Sequence, residues 1–279
     1  PVGALVFGRR SIQADLWMPA GDRLELSRAT IVGSTIWDVF PSPKSSAATK
    51  AEEHDRQVRM FGEVGQTRLR QARVAIIGLG GIGSLVTQYL AHLGVCNFVL
   101  IDDDVVEISN LSRVVGATQE DAKRRVRKVD VAKRMILHIN PDAEVSALPL
   151  DVSDPKAAQA LVHCDYLFLA ADSMRARLVV NAIVHQYLVP AVQLGAKVSA
   201  KADGSLLDVM SANRPLRPGA GCLWCNQLID PTGLAIESKT DEERKRQAYG
   251  TQAANPSVIT LNAVSASHAV NDFLLDYLA

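Results

Sequence analysis

One stretch of the chain, RVAIIGLGGIGSLVTQYLAHLGVCNFVLIDDDVVEISNLSR (73–113), concentrates residue types that handle phosphate. Gly78, Gly80, Gly81 and Gly83 punctuate a turn between an apolar run, 74–77, and a helical run that ends near Gly94. Glycine lets backbone approach a phosphate, and the helix N-terminus that follows offers free N–H groups and a positive dipole. A second apolar run, 98–101, ends in Asp102, Asp103 and Asp104. A carboxylate at the end of a second parallel strand stands where a ribose hydroxyl is read; Asp103 reads as a strand-end cap. Beyond it come Asn110, Arg113 and Lys128, and Asp172 follows a later apolar strand. Arg and Lys together suit a triphosphate, whose charge must be neutralised as it leaves. A carboxylate such as Asp172 can hold Mg²⁺. An NAD-dependent oxidoreductase needs a hydride acceptor and a polar catalytic pair instead, and is kept as a rival class. The bland alternatives are a strand–helix turn without ligand and an Arg113 paired to a nearby acid.

These residues need a scaffold that brings strand ends together. Residues 1–40 read as short strands and turns, and 41–50 (PSPKSSAATK) as a linker. A charged helical lead-in follows from 51. Then strands (74–77, 98–101, 144–148, 166–170, 191–194, 197–201, 206–210) alternate with helices (to 94, 126–139, 155–162, 174–187, 236–249, 256–277). Such alternation predicts an α/β fold: a doubly wound, Rossmann-like, mostly parallel sheet over 51–279, with a small β-rich N-terminal appendage.

Composition narrows the class. The 279 residues are 48% hydrophobic, enough for a sizeable core, and Lys+Arg equals Asp+Glu at 30 each. A neutral balance attracts neither nucleic acid nor an anionic membrane. No apolar run has the length of a membrane span and no signal peptide is visible, so a cytoplasmic protein is expected. Four cysteines, two of them in one CxxC, do not make a secreted disulfide framework. The sequence begins at Pro1 without a Met, as a fragment or processed product would.

The same motifs resemble the E1-like activating enzymes, the ThiF/MoeB/ubiquitin-activating superfamily, over about 53–279. The resemblance rests on HDRQ (54–57), GLGGIGS (78–84), DDDVVEISNLSR (102–113), RKV (127–129), LAADS (169–173, with Ser173 where Asn is usual), GCLWC (221–225) and NPSVI (255–259) before the last helix. It implies adenylation: a carboxylate attacks the α-phosphorus of ATP, giving an acyl-adenylate and pyrophosphate. Carried over by position, Asp102 binds the ribose beside Asp104, and Asn110, Arg113 and Lys128 contact the phosphates. Asp172 holds Mg²⁺ and positions the α-phosphate. Arg56 reaches the ATP of a partner subunit, which implies a homodimer. Two extra residues between Arg113 and Lys128 leave Arg124, Arg125 and Arg127 as competitors of Lys128, and the basic run 123–128 also reads as a solvated helix face.

The implied substrate is the C-terminus of a ubiquitin-like or sulfur-carrier protein, with an E2-like or JAB-domain protein as a further partner. The N-terminal segment resembles the lead-in of bacterial E1-like proteins found with JAB domains, although no histidine precedes His54 and a JAB metal motif is absent. The alternatives are adenylation of a short peptide and a non-catalytic E1-like scaffold. Cys222 and Cys225 have zinc-ligand spacing, but a structural zinc takes four ligands, and Cys96 and Cys164 read as small core residues. The family's thioester cysteine belongs in the crossover loop, 226–255, which has none here.

Overall fold

The structure, a computed structural model, describes residues 1–8, 11–26, 29–32, 36–39, 52–200, 205–218, 221–237 and 257–278. The expected linker 41–50, Asn255–Pro256 and most of the expected helix 236–249 and crossover loop 226–255 lie outside the described residues.

At the N-terminus, β1 (Val2–Phe7), β2 (Ile12–Trp17) and β3 (Arg23–Leu26) form an antiparallel three-stranded sheet with β2 central, and β4 (Ala29–Val32) pairs antiparallel with β5 (Ile36–Val39). Arg23 grips the buried Asp15 through two bonds of 2.9 and 2.8 Å.

A long helix follows, α1 (Asp55–Gln71), kinked where Gly62 takes φ 73° and ψ 167°. Then come β6 (Arg73–Ile77), α2 (Gly81–His92), β7 (Asn97–Ile101), α3 (Gln119–Arg124), α4 (Lys128–Ile139) and β8 (Glu144–Leu148). The second half runs α5 (Pro155–Leu161), β9 (Tyr166–Leu169), α6 (Met174–Tyr187), β10 (Ala191–Ala200), β11 (Leu206–Leu216), α7 (Pro231–Glu237) and α8 (Ile259–Leu278). The sheet order is β11-β10-β9-β6-β7-β8, parallel except for β11.

Burial follows the two-residue strand period. Val74 and Ile76 join α2, α4 and α8 in one core, while Ala75 and Ile77 join α5 and α6 in the other. A strand buried on both faces must be apolar throughout, which is why 74–77 has no alternation to read. The aromatic cluster Tyr166, Phe168, Phe273 and Tyr277 fastens α8 to the sheet, with centroids 5.1 to 5.7 Å apart. Full burial of each large side chain contributes about 1.5–3 kcal/mol. No helix among the described residues is long and apolar enough to cross a membrane.

Three expectations are corrected. The runs 191–194 and 197–201 form one strand, β10, because its pairing with β11 carries the ladder straight through Gly195. The helix expected over 126–139 starts at Lys128, since the chain first closes a separate turn, α3, that ends at Arg125 in a left-handed conformation (φ 51°). The closing helix starts at Ile259 rather than at 256.

Candidate active site

Winding outward from β6 in both directions places the switch of strand order between β6 and β9. Ligands of open α/β sheets bind outside the strand C-termini at such a point. A cleft of about 710 Å³ opens there. Its lining comes from all five parallel strands: Asp151 after β8, Asp102–Asp104 after β7, Gly78 and Gly80 after β6, Asp172 and Ser173 after β9, and Lys197 within β10. Strands spaced about 4.8 Å apart put the β7 and β10 ends about 14 Å from one another.

The glycine turn is shaped for close approach. Gly78 has φ +88°, and a Cβ on it would stand 2.7 Å from the Ala171 amide nitrogen, so glycine alone lets the β6 and β9 loops touch. At Gly80 a Cβ would meet nothing within 4 Å and would project into the cleft. That open cradle, the free N-terminus of α2 and the cations facing it fit a nucleotide phosphate chain.

Asp102 is buried at the end of β7. Its Oδ2 accepts the Leu79 N–H at 2.6 Å and its Oδ1 the Asp104 N–H at 2.9 Å. Burial pushes this carboxyl above its ordinary range, while the Lys128 ammonium and the two N–H groups pull it down. Lys128 opens α4; its Nζ lies 2.6 Å from Asp104 Oδ2 and 4.0 Å from Asp102 Oδ1, and its side chain is only 10% exposed.

The rivals of Lys128 point elsewhere. Arg124 pairs with Glu120 at 2.6 Å, Arg125 with Glu107 at 3.8 Å, and Arg127 donates to the Asp103 carbonyl at 2.5 Å. Lys128 alone of the four lines the cleft. Arg113 also lines it, braced by a 2.7 Å bond to the Ser109 carbonyl. Asp172 lines it as an exposed carboxylate, and its charge opposes the burial that pulls the Arg177 guanidinium down.

Three of the expected nucleotide-site residues do not line the cleft. Gly83 is buried in α2, where a Cβ would run into the Gly78 carbonyl. Asn110 is buried, and its Oδ1 accepts the Glu107 N–H at 3.2 Å, closing a capping box around Ile108–Asn110. Arg56 is exposed on the first turn of α1 and does not line this chain's cleft. The side chain of its neighbour Gln57 braces the fold, since its Nε2 donates to the His92 carbonyl at 2.9 Å and satisfies the open end of α2.

Lys197, Ser257 and Asn262 also line the cleft, where the sequence analysis assigns no role to them. Asn262, 2% exposed, packs its amide against Gly81 and donates to Ser257 Oγ at 3.1 Å. The available signal was a carboxamide near the start of the closing helix, in ITLNAV (259–264). Lys197 had no sequence signal, because its place depends on β10 running past the end of β9.

Among the described residues the cysteines do not assemble the four ligands of a structural zinc. Cys222 and Cys225 face each other with sulfurs 3.1 Å apart, but Cys96 is half-buried near Gly94 and Cys164 is buried, its thiol pushed up to about 12. Among the described residues the one group of three metal-type ligands is Asp102, Asp103 and Asp104. Its hard oxygens, with Asp172 on the same cleft, suit Mg²⁺.

The ThiF family model matches residues 54–276. The chain belongs to the ThiF family. Among curated relatives of this ThiF-family chain, the sulfur carrier protein ThiS adenylyltransferase of Escherichia coli is 34% identical over 161 residues, covering 57% of this chain and 61% of that protein. The chain spans between 29% and 61% of the length of the relatives it matches. Among solved structures, E. coli MccB with ATP aligns with TM-score 0.62 at 22% identity, over 82% of this chain and 64% of the other. The microcin C7 biosynthetic enzyme MccB with N-formylated MccA gives TM-score 0.65 at 22% identity, over 84% and 67%. These two show the same fold.

Proposed function

We propose that this chain is an adenylyltransferase: it binds ATP in the cleft and joins the AMP unit to the C-terminal carboxylate of a sulfur-carrier or ubiquitin-like protein. The observation that carries the reading is convergence. A glycine cradle after β6, a buried carboxylate after β7, an exposed carboxylate after β9 and two cations, Lys128 and Arg113, meet in one cleft. Family membership and a relative named for adenylating ThiS support it.

Each residue takes a role from its place. Asp102, fixed by Leu79 and Asp104, receives the ribose hydroxyls. The glycine turn and the α2 N-terminus take the phosphates. Lys128 and Arg113 neutralise the charge that builds up on the pyrophosphate as it leaves. An acyl carboxylate oxygen attacks the α-phosphorus, and the bond from that phosphorus to the bridging oxygen breaks with its electron pair going to pyrophosphate. Both reactants are anions, so the step needs alignment and positive charge more than an acid–base pair. Mg²⁺, when bound, supplies further neutralisation of phosphate charge, with Asp172 as its holder. The ribose and phosphates fill the β7 and β6 part of the cleft, which leaves the β9–β10 end, with Lys197, for the acyl tail.

Arg56 would serve the cleft of a second copy, which makes the working unit a homodimer. The reading is tested by ATP–pyrophosphate exchange, with a sulfur-carrier protein and a free-carboxyl peptide as separate arms. Exchange with the carrier supports it; exchange with the peptide alone shifts the substrate class; exchange with neither, despite ATP binding, rejects adenylation.

A further inference from the structure

Asp172 and Ser173 reach the cleft from the residues just before α6, so their placement depends on how that helix begins. The first turn of any helix leaves N–H groups without intrahelical partners. Here Ser173 serves as the cap, its Oγ accepting the Ala176 N–H at 3.1 Å. The two N–H groups before it are met from far away in sequence. Met174 N–H donates to Glu237 Oε1 at 2.8 Å and Arg175 N–H to Glu237 Oε2 at 2.9 Å. Arg175 then folds its guanidinium back onto the Glu237 carbonyl at 2.6 Å.

Glu237 closes α7, a seven-residue helix with no buried residue. Core burial therefore cannot fix α7, and polar ties do. Besides Glu237 they include the Arg177 bond to the Leu228 carbonyl at 2.8 Å and the Asp230 N–H bond to Met174 Sδ at 3.4 Å. Close packing adds to them: a Cβ on Gly233 would stand 3.2 Å from Met174 Cγ. Every one of these ties ends on the first turn of α6.

We propose that Glu237 is a positioning residue for the cleft. Its carboxylate clasps the N-terminus of α6 and so holds Asp172 and Ser173 in register with the glycine turn. A carboxylate is required rather than any acceptor, because two N–H groups must be met by two oxygens, and a negative charge complements the helix dipole. Glutamine offers one oxygen and turns an N–H₂ group toward the second donor. The effect reaches chemistry and not nucleotide affinity, since the ATP contacts of Asp102, Lys128 and the glycine turn come from the end of β7, the start of α4 and the β6–α2 turn. The inference rests on the adenylation reading above.

The test compares Glu237→Gln, Glu237→Asp and Glu237→Ala with the wild-type chain. Exchange is measured with a sulfur-carrier protein and with a free-carboxyl peptide, per ATP-binding site counted by calorimetry. Asp keeps the charge and is expected to retain most of the rate. Gln and Ala are expected to lose about 10- to 100-fold in kcat, the scale set by a misplacement of an ångström, with Kd for ATP within about twofold, far below the tenfold step that 1.4 kcal/mol makes. Wild-type rates in Glu237→Gln, or an ATP affinity that falls in step with the rate, overturn the proposal while leaving adenylation standing. Absence of exchange in the wild type overturns adenylation and this inference with it. Hydrogen exchange on the wild-type protein gives a check that needs no variant to fold: the Met174 and Arg175 amides are slow if clasped, and fast exchange there rejects the clasp.

Discussion

At Gly80 and Gly78 two glycines in one turn do different work. A methyl on Gly80 meets no protein atom within 4 Å and points into the cleft. Gly80→Ala is therefore expected to keep its melting temperature and to lose about tenfold or more in ATP affinity, that is about 1.4 kcal/mol, by calorimetry. A methyl on Gly78 is forced against the Ala170–Ala171 backbone at a positive φ, a conformation that alone costs about 1–2 kcal/mol. Gly78→Ala should lower the melting temperature as well as the affinity. An equal melting loss in both variants would contradict this division. Lys128→Ala removes the cation that faces Asp102 and Asp104 in the cleft, and the expected loss in exchange kcat is about 10²–10³-fold. Arg124→Ala, which removes only an exposed pair with Glu120, should exchange at the wild-type rate. A reversed order would return the phosphate role to the basic run.

At the scale of elements, a clamp between α3 and α4 helps to hold the loop that delivers Lys128. Arg134 on α4 makes two bonds to Asp121 on α3, at 2.9 and 2.7 Å, and the Thr118 N–H and hydroxyl donate to the same carboxylate. The Arg134 guanidinium, with Thr118, holds the Asp121 carboxyl well below the usual carboxylate range. A depressed folded pKa stabilises the native state above the unfolded pKa of about 3.9, and that stability fades as pH falls through the folded value. Arg134 is half exposed, which discounts the pair to about 1–3 kcal/mol. Asp121→Asn should melt about 3–8 °C lower at neutral pH, with the gap narrowing as pH drops below about 4. A gap independent of pH would remove the ion pair as its cause.

The same scale shows what the sequence made legible. The glycine turn, β6 and β7 could be read because their signals are local: an apolar strand, a turn that only glycine fits, an acid at a strand end. Lys128 could not be separated from Arg124, Arg125 and Arg127 by spacing, since a left-handed residue at Arg125 resets the helix phase. Asn110 matched a motif, yet the structure spends its side chain on a local cap. In sequence β10 reads as two runs interrupted at Gly195, and Lys197 and Glu237 carry no local signal, because β-pairing and the clasp join residues distant in the chain.

At the scale of the whole molecule, two claims remain to be joined: the cleft adenylates, and a second copy completes it through Arg56. Arg56→Ala and Asp172→Ala are each expected to abolish exchange. Mixed and allowed to re-associate, they form dimers in which one cleft has both residues, restoring about a quarter of the wild-type rate under random pairing. No recovery on mixing would place Arg56 outside catalysis in trans. The more direct test of the central claim is carrier-dependent exchange of radiolabelled pyrophosphate into ATP. The account predicts label in ATP only when a carrier with a free C-terminal carboxylate is present, and its loss in Asp172→Ala with ATP still bound. ATP binding without exchange for any carrier or peptide would contradict it.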